Sequence, residues 1–175
     1  MKTRMLIALA AAAAPLLSGC GWTPLYADLE PEAASEELRA IKVDPIPERI
    51  GQRLEIALRN SLSPTSESAP ARYRLGTTLA VTLSNFGIQS QGLATLGQID
   101  AVATFRLVDL QTGGVLLINT VHVANSFDLN PNQYSTVVGE DDAGVRCVAE
   151  LDREIVTRLT LFMQRRVAEK SAKPA

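Results

Sequence analysis

Apolar and polar side chains alternate along "RYRLGTTLAVTLSNF". Tyr73, Leu75, Leu79, Val81 and Leu83 fall on one side, and Arg72, Arg74, Thr78, Thr82 and Ser84 on the other. A period of two held over more than ten residues predicts a strand with one wet face. "LGQIDAVATFRLVDL" repeats the pattern. It sets Ile99, Ala101, Ala103, Phe105 and Leu107 against Asp100, Val102, Thr104, Arg106 and Val108. In "VLLINTVHVANSFDLN", Val115, Leu117, Val121 and Val123 share a face interrupted by Asn119. Leu116, Ile118, Thr120 and His122 share the other, so the start of this strand is apolar on both sides. Gln91-Gly92 signals a hairpin between the first two strands. "QTGG" makes the next turn, where Gly113 or Gly114 can take positive φ.

The flanking segments follow other periods. Leu38 to Ile46 alternates briefly and stops at Pro45, a short strand. In "PERIGQRLEIALRNSL", the positions Ile50, Leu54, Ala57, Leu58, Ser61 and Leu62 have helical spacing. Pro47 suits its first turn and Glu48 its N-terminal dipole, while Gly51 weakens it by up to about 1 kcal/mol relative to Ala. Ser63 to Ala71 is a polar loop. The last element begins near Ser135 or Thr136, either of which can cap it, with Glu140, Asp141 and Asp142 at its N-terminal end. Val148, Leu151, Ile155, Leu159 and Phe162 form its apolar stripe, and Arg158, Arg165, Arg166 and Lys170 match its C-terminal dipole. The order β-α-β-β-β-α predicts an α+β two-layer sandwich over residues 38–168. Two helices pack on one face of a four-stranded, mostly antiparallel sheet. The other sheet face, with Arg72 and Arg74, needs water or a partner. Residues 169–175 are expected to be a disordered tail.

The N-terminus follows a different logic. Lys2 and Arg4 precede an apolar run from Met5 to Leu17, and Leu17-Ser18-Gly19-Cys20 ends it. The run is too short to span a bilayer, which takes roughly 20 residues. It fits a secretory signal peptide, residues 1–19, removed on export. The small residues before Cys20 match the bacterial lipoprotein box, which predicts lipidation of the Cys20 thiol. An ordinary cleaved signal followed by a stray cysteine is the alternative. Several acyl chains, at roughly 0.8 kcal/mol per buried methylene, make a nearly permanent anchor. Gly21, where Asp favours inner-membrane retention, leans toward the outer membrane. Residues 20–37 read as a lipidated tether, since "DLEPEAASEE" holds five acids and no base. Fully extended, it reaches about 60 Å from the lipid. Trp22, Leu25 and Tyr26 either dip into headgroups or pack on the domain or a partner.

Removing 19 of the 175 residues leaves 156, enough for one domain with its own core. The mature chain has 15 basic against 19 acidic side chains, a net charge of −4. No basic stripe with aromatics is present, so nucleic acid is not an expected partner. With Cys20 acylated, Cys147 has no internal disulfide partner and reads as a small core residue. His122 is the sole histidine, so the usual metal sites are not expected, and no cofactor is implied. There is no nucleophile elbow, and Gly113-Gly114 sits in a hairpin turn rather than before a helix. The chain reads as a non-enzyme; an enzymatic reading would have to rest on His122 as base.

"LSGCGWTPLYA" resembles the opening of the LPS-assembly lipoproteins, the LptE family. "ATFRLVDLQTGGVLL" is similar to that family's central hairpin, and "SFDLNPNQYSTVVGEDDAGVRCVAELDREIVTRL" to its link into the C-terminal helix. Together these cover most of the mature chain. The resemblance implies a lipid-anchored outer-membrane component of the lipopolysaccharide translocon in a Gram-negative envelope. It would lie on the periplasmic side and in the lumen of the β-barrel LptD, as plug and assembly partner. Lipopolysaccharide is a further expected ligand, with Arg72, Arg74 and Arg106 as contacts, because guanidinium groups fork onto phosphate. Trp22, the acidic tether and the negative charge depart from the family pattern. A membrane-tethered periplasmic lipid-binding chaperone is the alternative, and it would need an apolar cavity.

Overall fold

Four strands form one sheet in the order β1-β2-β3-β4. The computed structural model describes residues 31–63, 70–88 and 94–172. The signal peptide, Cys20, Trp22 to Tyr26 and the Gln91-Gly92 turn lie outside the described residues. Strand β1 (Ile41–Val43) runs parallel to β2 (Tyr73–Ile88). Strands β3 (Ala94–Asp109) and β4 (Val115–Asp128) continue the sheet as an antiparallel meander. Three helices accompany them: α1 (Pro31–Arg39), α2 (Arg49–Leu62) and α3 (Gln133–Ala172). Helix α2 is the crossover that a parallel β1–β2 pair demands.

The alternation read from the sequence sets the two faces. On β3, Ile99, Ala101, Ala103, Phe105 and Leu107 are all buried. On β2, Tyr73, Leu75 and Thr77 are buried, Leu79 and Val81 partly so, and Leu83 is half exposed where the helices no longer reach. Strand β4 contributes Val121, Val123 and Phe127. Against this face, α3 lays Ala143, Cys147, Val148, Leu151, Ile155, Leu159 and Met163, and α2 lays Leu54, Leu58 and Leu62. Each Val, Leu, Ile or Met among them contributes about 1.5–3 kcal/mol on burial. The β3–β4 turn forms as expected, with Gly113 at φ 70° and the Asp109 carboxylate accepting from the N–H of Gln111 at 2.8 Å.

Four expectations need correction. The acidic stretch read as tether is helical from Pro31, giving the order α-β-α-β-β-β-α. A nine-residue helix is marginal alone, and this one is held by tertiary contacts. Ala34 is buried, and Glu37 lies 3.1 Å from Arg72 and 3.9 Å from Lys170. Residues 169–172, expected in the tail, are helical, since α3 continues through Ala172. Helix α2 starts at Arg49 rather than at Pro47, because Glu48 takes a left-handed φ of 67°. Helix α3 starts earlier than Ser135, because the Asn132 side-chain oxygen Oδ1 caps it, accepting the Tyr134 N–H at 3.0 Å. Asp141 and Asp142 therefore sit inside α3. Asp141 pairs with Arg49 and Arg53 of α2, and Asp142 with Arg146.

Candidate functional site

The face of the sheet turned away from the helices is uncovered among the described residues. Its side chains line up in rungs across β2, β3 and β4, set by the strand register. Thr78, Thr104 and Thr120 form one rung, and the hydroxyls of Thr104 and Thr120 lie 3.1 Å apart. Ala80, Val102 and His122 form the next, followed by Thr82, Asp100 and Ala124, then Ser84, Gln98 and Ser126. Most of these side chains are short, and they leave a flat, mildly polar surface.

One end of this face is basic. Lys42 stands beside Arg74, and Gly76 beside Arg106. Asp44 reaches into the same corner, with Arg74 Nε 3.7 Å from its carboxylate. Gly76 leaves room between them, since a Cβ there would lie 3.6 Å from both Arg106 Cγ and Asp44 Oδ2. The depression around them holds about 540 Å³ and is also lined by Val108 and Val115. Ile118, the partner of Arg106 across β4, is 66% exposed, and Val115 is 53% exposed. Three cations against one carboxylate, next to exposed aliphatic groups, make a surface that fits an amphiphilic anion.

The three arginines singled out by sequence do not act together. Arg74 and Arg106 line the same depression. Arg72 instead pairs with Glu37 of α1, and its N–H donates to the Ala40 carbonyl at 2.9 Å. It is a structural clasp in a small network. Arg166 stacks over the Tyr73 ring at 5.9 Å and lies 3.4 Å from Asp109. The Tyr73 hydroxyl is held above its ordinary range by burial, then by the adjacent Glu37 carboxylate. Sequence reasoning missed Lys42 and Asp44. Their signal was the short parallel strand, whose register alone places them beside Arg74 and Gly76.

His122 lies on the open face with Nε2 3.3 Å from Asp100 Oδ1, in an exposed cross-strand contact. Gln98 donates to the same carboxylate at 3.0 Å. Cys147 is fully buried, as expected of a core residue. Burial pushes its thiol up, and the Asn125 amide N–H, 3.5 Å from the sulfur, partly offsets this. Among the described residues, no three His, Cys, Asp or Glu side chains converge as metal ligands. Among them, no helix is long and apolar enough to cross a membrane.

The fold has a counterpart among solved structures. A candidate lipoprotein from Caulobacter crescentus matches with a TM-score of 0.62 and 21% identity, over 76% of this chain and 97% of that one. At that identity the likeness establishes the fold. A minor lipoprotein from Acinetobacter baumannii matches at TM-score 0.49 and 15% identity, over 69% of this chain and 90% of its own. Rare lipoprotein B from Shewanella oneidensis matches at 0.47 and 9%, over 75% and 96%. No family model and no curated protein matches the sequence.

Proposed function

We propose that the chain is an outer-membrane lipoprotein, anchored through Cys20, that seats its uncovered sheet face in the lumen of the β-barrel LptD. There it serves the lipopolysaccharide translocon as plug and assembly partner. The observation that carries the reading is the open face itself. A barrel lumen is polar, and an uncovered sheet of Thr, Ser, Ala and Gln is matched to a wet protein wall rather than to lipid. The similarity of "LSGCGWTPLYA" and the later segments to the LptE family supports it. So does a fold shared with a candidate lipoprotein. The corner of Lys42, Arg74 and Arg106 beside Val115 and Ile118 offers charge and aliphatic surface together, which suits a phosphorylated glycolipid. The chaperone alternative asks for an apolar interior. Among the described residues that space is taken by Phe105, Leu107, Leu151 and Ile155, each fully buried.

Site-specific photo-crosslinking in cells tests this reading. A photoreactive residue at Thr104, mid-face, is expected to capture a large β-barrel protein. One at Ile56, exposed on α2, is expected to capture less. Capture from Ile56 but not Thr104 would refute the choice of face. Capture of no barrel protein from either would refute the plug.

A further inference from the structure

Each side of this sheet leaves a long strand open. Strand β1 covers only Tyr73 to Leu75 of β2. On the other side, β4 runs for 14 residues with no strand beyond it among the described residues. A long free edge is a template for strand addition by another chain. In an antiparallel pair, alternate residues turn both backbone groups to the same side. The carbonyls of Thr120 and Ser126 point outward, as shown by what they accept, so His122 and Ala124 between them also present their N–H and C=O outward.

Helix α3 lays one charged ridge along this edge. Arg146, Glu150, Glu154 and Arg158 recur at every fourth residue and so lie in one row. The terminal arginines each donate to an outward β4 carbonyl. Arg146 reaches the Ser126 carbonyl at 2.9 Å, and Arg158 reaches the Thr120 carbonyl at 2.7 Å. Both also bond side chains of β4, Asn125 at 3.3 Å and Asn119 at 2.6 Å. Glu150 accepts from the Asn125 amide at 3.1 Å. The spacings agree. Twelve helical residues rise about 18 Å, and six strand residues about 20 Å. Between the clasps lies a cleft of about 400 Å³ lined by His122, Ala124, Glu150, Arg153 and Glu154.

We propose that this ridge is an edge guard, and that it keeps β4 from pairing with β4 of a second copy. The competing partner follows from the numbering. About a two-fold axis through Val123, Thr120 meets Ser126 and His122 meets Ala124. Four outward residues would thus complement their own copy in register. The two arginines occupy the outermost carbonyls of that set, which a second strand would need as acceptors.

The test uses the purified full-length chain in detergent, with protein mass separated from detergent mass by light scattering. The wild type is expected to be monomeric. Arg146→Ser with Arg158→Ser should rise toward twice the monomer mass as concentration increases. Adding Ala124→Pro should return it to monomer, because that proline removes an outward N–H and no ladder bond. Should the serine pair lose cooperative unfolding, Arg146→Met with Arg158→Met, which keeps an apolar stem but no donor, takes its place and should associate likewise. A folded arginine-free variant that stays monomeric overturns the guard. So does association that Ala124→Pro leaves untouched, or a wild type already dimeric through β4.

Discussion

Placing a methyl group at Gly97 should unseat Phe127. The two residues face each other across β3 and β4 on the inward side of the sheet. A Cβ at position 97 would lie 2.3 Å from Phe127 Cζ and 2.7 and 2.8 Å from the two Cε atoms. The ring thus rests on the bare glycine backbone. On its other side the ring lies along Gly139 of α3, where a Cβ would be 3.7 Å from its Cδ2. Ordinary contact would require the ring to shift by about 1 Å in a close-packed layer. Overpacking of this kind costs about 1–3 kcal/mol, against which the better strand residue returns up to about 1 kcal/mol. Gly97→Ala should therefore destabilise by about 1–2 kcal/mol. Phe127→Ala, at a site only 6% exposed, should cost about 3 kcal/mol. In that background the clash is gone, and Gly97→Ala should become neutral or mildly stabilising. The coupling in the double-mutant cycle is then about 2 kcal/mol. Urea unfolding followed by circular dichroism measures all four corners. Additive effects, or a Gly97→Ala variant as stable as wild type, would refute the reasoning.

Gly51→Ala should destabilise by about 1 kcal/mol although alanine is the better helix former, because its Cβ would meet Ile46 Cγ2 at 2.7 Å and the Ile46 carbonyl oxygen at 3.1 Å; a gain in urea midpoint would contradict this. The contribution of Cys147 to stability should be constant below the ordinary thiol value of 9.0 and fall as pH rises above it, because the buried thiol keeps its proton longer folded than unfolded. The Tyr73 hydroxyl adds a loss of the same sign above 10.0. Unfolding titrations should show a shallower alkaline loss for Cys147→Ala, and equal slopes would contradict the assignment. Arg74→Glu with Arg106→Glu should leave stability within about 0.5 kcal/mol yet lower surface lipopolysaccharide when the chain is depleted and replaced by the variant; unchanged surface lipopolysaccharide would remove that corner from the transport reading.

The strand meander was legible because period two is imposed by backbone geometry and needs no tertiary knowledge. Every inward residue read on β3, from Ile99 to Leu107, is buried. The stripe of α3 was equally plain. What escaped were features settled by distant partners. Helix α1 looks like solvated acid until Arg72 and Lys170 arrive beside Glu37. Gly51 and Gly97 look like weak points in a helix and a strand, and only the packed neighbours show each as a seat for a side chain. Arg72 and Arg74 were grouped by alternation along β2. The grouping failed because α1, not the strand, decides where Arg72 points. The basic corner was half visible, as Arg74 and Arg106. Lys42 and Asp44 joined it through a parallel pairing that no local pattern announces. The guard along β4 required both the helical row of α3 and the knowledge that β4 is an edge.

The proposed role is that of a lipid-anchored chain working inside a partner barrel. The most direct measurement is affinity purification through a C-terminal tag after mild detergent extraction of the envelope, with every partner and the Cys20 peptide identified by mass. An acylated Cys20 and a stoichiometric large β-barrel protein carrying lipopolysaccharide are expected. A chain with an unmodified Cys20 thiol, recovered from the soluble periplasm with no barrel protein, would contradict it.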